Sequence, residues 1–251
     1  MSIKGSIYRL IECALAKYTD RIVCISEAEL QSALNSNIAS REKLELISNG
    51  IDVNTVRSAI PKKRSELKIP DGALVIGMVG RLTPQKAPDV FIKAAKLIRN
   101  DIPNSFFIIV GSGEQEAEIK SYSEENDIPL LITGWTNNPY SYMKVFDIAI
   151  LLSRWEGFGL AIAEYMAAEK SIIASRVDAI PTLIEDGVDG LLVEIDNAEQ
   201  VAQCVKWLLN HPKEANSMKQ HALEKVVQKY NINRVAQQHI KLFRQLLSRN
   251  D

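Results

Sequence analysis

From residue 72 onward, short apolar runs alternate with longer amphipathic stretches along the chain. The apolar runs are rich in β-branched residues and lack polar alternation; they cover residues 73–79, 105–110, 129–133, 147–152, 171–174 and 190–193. Strands that are buried on both faces of a parallel sheet have this pattern. We therefore predict one buried strand for each run.

The stretches between the runs have the period of helices. We predict helices at residues 88–99, 114–126, 138–145, 160–169, 180–186 and 197–210. The first begins with a proline, which suits the first turn of a helix, and it places Phe91, Ala94, Ala95 and Ile98 on one face. Alternating strands and helices predict an α/β fold, a doubly wound parallel sheet with right-handed crossovers, and hence a Rossmann-like domain.

The two ends of the chain lie outside this repeat. Residues 6–18 are amphipathic, with Ile7, Leu10, Ile11, Ala14 and Tyr18 on one side. Further predicted elements are strands at 21–25 and 44–47, a helix at 26–34, a turn at 48–52, a linker at 61–64 and helices at 214–226 and 231–249. The pattern therefore indicates one full domain with edge pieces of another.

Composition and charge narrow the classes of function. The chain has 251 residues, with 30 Lys and Arg against 31 Asp and Glu, which argues against nucleic-acid binding by bulk basic charge. The three cysteines, Cys13, Cys24 and Cys204, are far apart, so a disulfide framework or a structural zinc site is not indicated and a reducing cytoplasm fits. No apolar run approaches the ~20 residues that span a bilayer, and the N-terminus is a poor signal peptide.

Candidate chemistry lies where strands end and helices begin, because ligands of doubly wound sheets bind at that edge. After the first strand, Gly80 is followed by Arg81 and Lys86, a guanidinium and an ammonium that could hold a pyrophosphate. Two solvated surface cations are the alternative. After the second strand, Gly111 and Gly113 begin a dinucleotide-like loop, but Glu116 replaces its third glycine, which disfavours a nicotinamide cofactor.

The turn after the fourth strand carries the strongest signal. Gly157 and Gly159 precede a helix that begins near Leu160, and such a start exposes main-chain amides that bind anions. Glu164 lies one helical turn further on, about 6 Å along the axis, where it suits the hydroxyls of a ribose. Glu156 precedes the glycines and would face a sugar. The alternative is an acidic pair that flanks a tight turn.

These residues resemble a known family. The segment EGFGLAIAE, with Glu156 and Glu164 at its ends, resembles the EX7E motif of family-4 retaining glycosyltransferases of the GT-B fold. The segments GMVGRLTPQKAPDVFIKAAKLI, FFIIVGSGEQEAEI, LLITGW and DIAILLSRWEGFGL follow in the order of that family, and SNGID at 48–52 is similar to the usual end of its N-terminal domain. The likeness covers nearly the whole chain.

The resemblance implies a role for each candidate residue. Arg81 and Lys86 would bind the donor diphosphate, Glu156 the transferred sugar and Glu164 the ribose. The resemblance implies that further residues bind substrate. They are Gly80 in the first loop, Trp135 beside the nucleobase, and Gly157, Phe158, Gly159 and Leu160 in the phosphate loop. With Arg81, Lys86 and Glu156 as the catalytic set, no metal and no cofactor are expected, since cations and amides neutralise the leaving diphosphate.

The resemblance also implies a division of the chain. Residues 1–60 would be a remnant of an N-terminal acceptor-side domain with its linker, 61–228 the nucleotide-sugar-binding domain, and 229–251 a cross-over helix. We expect Ile7, Leu10, Ile11, Leu242 and Leu246 to form an apolar surface that favours self-association or an N-terminal-domain partner chain.

Three residues depart from the family pattern. Ala161 stands where proline is frequent, Asp178 where glycine is usual, and Thr182 where an acid is usual. Asp178 puts a side chain where glycine normally allows a ligand to approach closely.

The preferred interpretation is a retaining hexosyltransferase that uses a nucleotide-sugar, UDP by default. The acceptor would be a glycan or a lipid-linked glycan at the cytoplasmic face of the membrane. The alternative is a nucleotide-sugar-binding module that is inactive alone or forms half of a two-chain enzyme; a nicotinamide enzyme is a weaker third interpretation. We expect no nucleic-acid partner.

Overall fold

The computed structural model describes residues 3–248. The elements follow in the order α1 (Ile3–Ala16), β1 (Ile22–Cys24), α2 (Glu27–Asn35), β2 (Leu44–Leu46), α3 (Val53–Ser58), β3 (Leu74–Val79), α4 (Pro88–Asp101), β4 (Ser105–Val110), α5 (Glu116–Glu125), β5 (Leu130–Ile132), α6 (Pro139–Met143), β6 (Ile148–Leu151), α7 (Leu160–Ala167), β7 (Ser171–Ser175), α8 (Ile180–Leu183), β8 (Leu191–Val193), α9 (Ala198–Asn210), α10 (Pro212–Lys229) and α11 (Ile232–Leu247). A short 3-10 turn, Arg41–Lys43, precedes β2.

The main sheet has six parallel strands in the order β5-β4-β3-β6-β7-β8. The register pairs Leu74 of β3 with Ser105 of β4, and Ile76 of β3 with Ile148 of β6. The chain therefore starts in the middle of the sheet, builds outward on one side and then returns to build the other. This is the doubly wound topology that the sequence predicts, and it opens a crevice between the carboxyl ends of β3 and β6.

Helices cover both faces of this sheet, which is why its strands are apolar throughout. On one face Ile76 and Phe107 pack against α4, whose predicted face of Phe91, Ala94, Ala95 and Ile98 is buried. On the other face Ile108 and Leu151 pack with Tyr165 of α7. The six predicted strands and the helices between them are confirmed, with end differences of a few residues.

Tyr165 fastens α7 to the two central strands. Its hydroxyl accepts a hydrogen bond from the Val79 N–H at 2.7 Å and lies 3.4 Å from the Ile150 carbonyl oxygen. Burial raises the pKa of this phenol, so it stays a neutral donor. These hydrogen bonds hold α7 against the carboxyl end of β3.

The edge pieces form a second, smaller unit. β1 and β2 pair in parallel, and one face of this pair packs on α2 through Cys24, Leu30 and Leu44. The other face packs on α11 through Ile47 and Leu242. Leu242 is thus buried, and the prediction that it would contribute to an exposed apolar surface was wrong, because the sequence did not reveal the contact between α11 and β2.

The two units meet at a short pairing between distant parts of the chain. The N–H of Ile51 donates to the Tyr230 carbonyl at 2.8 Å, and the N–H of Ile232 donates to the Ile51 carbonyl at 2.9 Å. The junction between α10 and α11 therefore lies directly beside the turn that follows β2. The sequence analysis did not predict the helix α3. Asp52 caps its N-terminus, where the Asp52 carboxylate accepts a hydrogen bond from the Thr55 N–H at 3.0 Å.

Candidate functional site

A cleft of about 370 Å³ opens at the carboxyl ends of β3 and β4. It is bounded by the loop after each strand and by the loop that follows β5. The residues that line it are Val79, Gly80, Arg81, Val110, Gly111, Ser112, Trp135, Thr136 and Pro139. Trp135 is 76% exposed, so its indole presents a free ring to whatever occupies the cleft.

The glycines of the loop after β4 permit two loops to touch. A Cβ atom at Gly111 would collide with the carbonyl oxygen of Gly80, and one at Gly113 with that of Leu82. Main-chain hydrogen bonds join the same loops, from Leu82 to Ser112 at 3.0 Å. The glycines that resemble a dinucleotide motif therefore serve close contact between the loops.

Lys86 and Glu156 form an ion pair across the crevice between β3 and β6. Their side chains are only 16% and 11% exposed, and Ser153 donates a further hydrogen bond to the Glu156 carboxylate at 3.1 Å. Because both charges are largely withdrawn from water, each depends on the other for compensation. A ligand that binds Lys86 must therefore take the place of a carboxylate.

Arg154 fixes the loop that carries Glu156. Its guanidinium contacts Asp89 at 2.7 Å and Asp196 at 2.7 Å, and it donates to the Pro84 carbonyl at 2.8 Å. The hydrogen bond to Asp89 is the main cause that raises the pKa of Arg154. Arg154 thus ties together the loops that follow β3, β6 and β8.

Gly159 ends the Glu156 loop and starts α7. It adopts a left-handed conformation with φ 93°, which a residue with a side chain would rarely take. A Cβ atom there would lie 3.1 Å from Ile180 and 3.6 Å from Cγ of Glu156. The amides of Leu160 and Ala161 open the helix, where they have no intrahelical acceptor.

Glu164 lies one turn into α7 and is half-buried. The Tyr140 hydroxyl donates to its carboxylate at 3.0 Å. Burial raises the pKa of Glu164, and the hydrogen bond from Tyr140 opposes that rise. Burial and the adjacent Glu164 charge raise the pKa of Tyr140 to about 12, which keeps its hydroxyl protonated as a donor.

The sequence profile of the family described as "Glycosyl transferases group 1" matches residues 59–225. The chain belongs to this family. The matched part contains every element of the six-stranded sheet and each loop of the site described above. A nicotinamide-dependent enzyme, the weaker alternative in the sequence analysis, is thereby set aside.

Two curated relatives show the range of this family. The group 1 glycosyltransferase chain is 32% identical over 235 residues to the UDP-Gal:alpha-D-GlcNAc-diphosphoundecaprenol alpha-1,3-galactosyltransferase of Escherichia coli, covering 90% of this chain and 60% of the relative. It is 25% identical to the poly(ribitol-phosphate) alpha-N-acetylglucosaminyltransferase of Staphylococcus aureus, covering 88% of this chain and 43% of the relative. The chain therefore spans about half the length of the curated relatives it matches.

Solved structures show the same fold. Anabaena HepE in complex with UDP and glucose superposes with a TM-score of 0.86 at 20% identity, covering 94% of this chain and 66% of that one. The C-terminal domain of a group 1 glycosyl transferase, LpcC, from Francisella tularensis superposes with a TM-score of 0.65 at 27% identity, covering 73% of this chain and all of that one. The chain thus has the Rossmann-like architecture of the GT-B glycosyltransferases.

The structure brings together most residues that the sequence analysis singled out in this member of the group 1 family. Lys86, Glu156 and Gly159 form one group, and Gly80, Arg81 and Trp135 line the adjoining cleft. Gly157 lies at the loop surface, where an added Cβ would lie 4.0 Å from Ile25, and Leu160 is 47% exposed at the start of α7.

Phe158 lies apart from that group. Its side chain packs edge-to-face on Tyr230 with ring centroids 5.5 Å apart, and it is 3% exposed. The ring therefore belongs to the core, and only the main chain of Phe158 remains for a ligand.

Several residues of the site were missed by the sequence analysis. Tyr140 holds Glu164, Ser153 holds Glu156, and Gln85 donates to the Trp155 carbonyl at 3.1 Å while it also lies 3.4 Å from a guanidinium nitrogen of Arg81. The Tyr140–Glu164 and Gln85–Trp155 contacts join segments that are 24 and 70 residues apart, whereas Ser153 and Glu156 share one loop, as do Arg81 and Gln85. A hydroxyl or amide in a loop after a strand was the available signal, but it does not say which partner it binds.

Within residues 3–248, no group of three or more His, Cys, Asp and Glu side chains is placed to hold a metal ion. In the same part of the chain, no helix combines the length and the apolar character needed to cross a bilayer.

Proposed function

We propose that this chain binds the nucleotide-sugar donor of a family-4 retaining glycosyltransferase, which transfers a hexosyl group to an acceptor hydroxyl in glycan or glycolipid synthesis. One observation carries the proposal: two carboxylates, Glu156 and Glu164, flank the amide-rich start of α7, and Lys86 reaches the first of them. Cationic and amide groups between two carboxylates match a diphosphate that lies between a sugar and a ribose.

Each group has a defined part in the proposed reaction. The bond between the anomeric carbon and the diphosphate oxygen breaks, and its electron pair leaves with the nucleoside diphosphate. Lys86, Arg81 and the first amides of α7 stabilise that negative charge, in place of a metal ion. A bond from the acceptor oxygen to the anomeric carbon forms on the same face, and the acceptor proton passes to the departing diphosphate.

Relatives support a uridine nucleotide and a lipid-linked or polymeric acceptor. The name of the Escherichia coli relative specifies UDP-Gal and a diphosphoundecaprenol acceptor, and Anabaena HepE has been crystallised with UDP-glucose. We propose the same donor base here, with Trp135 stacking on the uracil ring. An acceptor of this kind would place the protein at the cytoplasmic face of a membrane.

Titration calorimetry tests the proposal. The probes are UDP, GDP and ADP and their glucose derivatives, together with UDP-galactose, each measured with and without EDTA. We expect UDP and a UDP-sugar to bind best and EDTA to change nothing, because protein groups hold the diphosphate. Glu164→Ala should weaken UDP about tenfold through loss of the ribose hydrogen bonds. Exposed Glu124 of α5 offers the matched control Glu124→Ala, and equal losses in the two variants would contradict the role of Glu164.

A further inference from the structure

A turn between β7 and α8 is fastened to the main chain of Glu156. The Asp178 carboxylate accepts a hydrogen bond from the Glu156 N–H at 2.9 Å. The Ala179 N–H approaches the Glu156 carbonyl oxygen at 3.4 Å. Both backbone polar groups of Glu156 are therefore held by two consecutive residues of this turn.

Asp178 reaches the Glu156 loop because its own backbone is left-handed. Its φ is 43°, a conformation that Asp tolerates better than most residues since its short polar side chain can bind locally. Hydrogen bonds on either side tighten the turn, from Val177 to Ser175 at 3.0 Å and from Ile180 to Val177 at 2.9 Å. The departure from the family pattern at this position therefore supplies an acceptor where glycine would supply none.

The hydrogen bonds that hold the side chain of Glu156 come from outside this turn. Its carboxylate is held by Lys86 and Ser153, and Lys86 is the group that a diphosphate would draw away. Once Lys86 binds phosphate, the Glu156 carboxylate keeps the hydrogen bond from Ser153 of its own loop, and the turn at Asp178 keeps the main chain of Glu156 in place.

We infer that Asp178 is a positioning residue that keeps Glu156 at the sugar end of the site when the donor occupies Lys86. The inference rests on the proposed function and adds to it a determinant of sugar recognition. Because Asp178 acts through Glu156, its removal should affect ligands that carry a sugar and spare the bare nucleotide. A charge-assisted hydrogen bond is strong enough for its loss to change affinity measurably.

The test compares two substitutions of Asp178, both of which are compatible with its left-handed backbone. Asp178→Gly keeps the left-handed conformation and removes the acceptor, whereas Asp178→Asn keeps the conformation and an acceptor oxygen. Asp127→Gly is the matched control, since Asp127 also has a positive φ of 49° and lies at the distant turn between α5 and β5. UDP, UDP-glucose and UDP-galactose are titrated against each variant and against the wild-type chain.

We expect Asp178→Gly to weaken the better-bound UDP-sugar about tenfold and UDP less than twofold, with Asp178→Asn close to wild type. Equal losses for UDP and UDP-sugar, an unchanged Asp178→Gly variant, or an Asp178→Asn variant as weak as the glycine variant would each overturn the inference. If the wild-type chain binds UDP or a UDP-sugar, each of these three outcomes overturns the inference about Asp178 but leaves the proposed function standing. If the wild-type chain bound no UDP or UDP-sugar, the proposed function would fail as well.

Discussion

Lys86 and Glu156 compensate each other at the centre of the site before any ligand arrives. Both side chains are less than one-fifth exposed, so neither can rely on water for its charge. A diphosphate that takes Lys86 therefore competes with an internal carboxylate. The free energy of that competition would be part of the affinity for the proposed nucleotide.

Neutralising Glu156 should separate nucleotide binding from sugar binding. In Glu156→Gln, Lys86 no longer has to leave an anion, so UDP affinity should rise about threefold, while the UDP-sugar should gain nothing or bind less tightly. Calorimetry with UDP and UDP-glucose measures both effects. Glu124→Gln on the exposed side of α5 is the control, and a parallel change for both ligands in Glu156→Gln would contradict the assignment of Glu156 to the sugar.

Glu164 should lower the stability of the unliganded fold at neutral pH. Because burial raises the pKa of Glu164 above its ordinary value of 4.5, the folded state holds this proton more tightly than the unfolded state. The free energy of unfolding therefore falls as the pH rises above 4.5 and Glu164 ionises in the folded state. It remains lower at neutral pH.

The Glu164→Gln variant removes this titration. We expect a Tm above that of the wild-type chain at pH 7 and a difference that shrinks as pH falls below 4.5. Thermal melts across that range, with Glu124→Gln as the control, check the sign. A Tm difference that grew on acidification would show that ionised Glu164 stabilises the fold.

At the scale of elements, apolar patterning was sufficient to locate the sheet. Strands buried on both faces leave a strong signal, and Ser105–Val110 was predicted to the residue. The helix α3 was not predicted because it has only six residues and lies between the predicted turn at 48–52 and the predicted linker at 61–64. Leu242 was predicted to be exposed because the sequence of an amphipathic helix reveals its apolar face but not which residues pack on that face.

The sequence predicts the part of the candidate site that lies at the carboxyl ends of the parallel strands. Because parallel strands end at one edge, Lys86 and Glu156 could be expected near each other, although their direct pairing could not. The Tyr140–Glu164 and Asp178–Glu156 contacts depend on loop conformations over 24 and 22 residues of separation. A sequence pattern carries no signal for such contacts.

Arg154 joins three loops and should be the main electrostatic support of the site. In Arg154→Met, Asp89 would remain 19% exposed without its guanidinium partner, so we expect a loss of about 2 kcal/mol in the free energy of unfolding. Urea denaturation measures it. The matched control is Lys206→Met, whose ion pair with Asp101 is about half exposed and should contribute less than about 1 kcal/mol. Equal losses would contradict the role of Arg154.

At the scale of the whole molecule, α1 exposes a row of apolar side chains. Ile7, Leu10, Ile11 and Leu15 are 52%, 70%, 49% and 61% exposed. Apolar surface of this kind favours association, so we expect the apparent mass in light scattering to rise with protein concentration.

Polar substitution of that row should reverse the association. The double variant Leu10→Ser with Leu15→Ser is expected to stay monomeric at concentrations where the wild-type chain associates. Ile60→Ser is the control, because Ile60 is 82% exposed and is not part of α1. A wild-type chain that remained monomeric throughout would show that this row does not drive self-association.

Because Ile51 pairs with the residues between α10 and α11, the two ends of the intervening segment lie side by side. Residues 52–230 begin and end beside this pairing, which consists of two main-chain hydrogen bonds. A segment with adjacent ends can be exchanged between relatives without rerouting the rest of the chain. Recombination at these two junctions would therefore replace the six-stranded sheet and the proposed donor-binding residues as one block, and it would leave the β1–β2 unit and α11 unaltered.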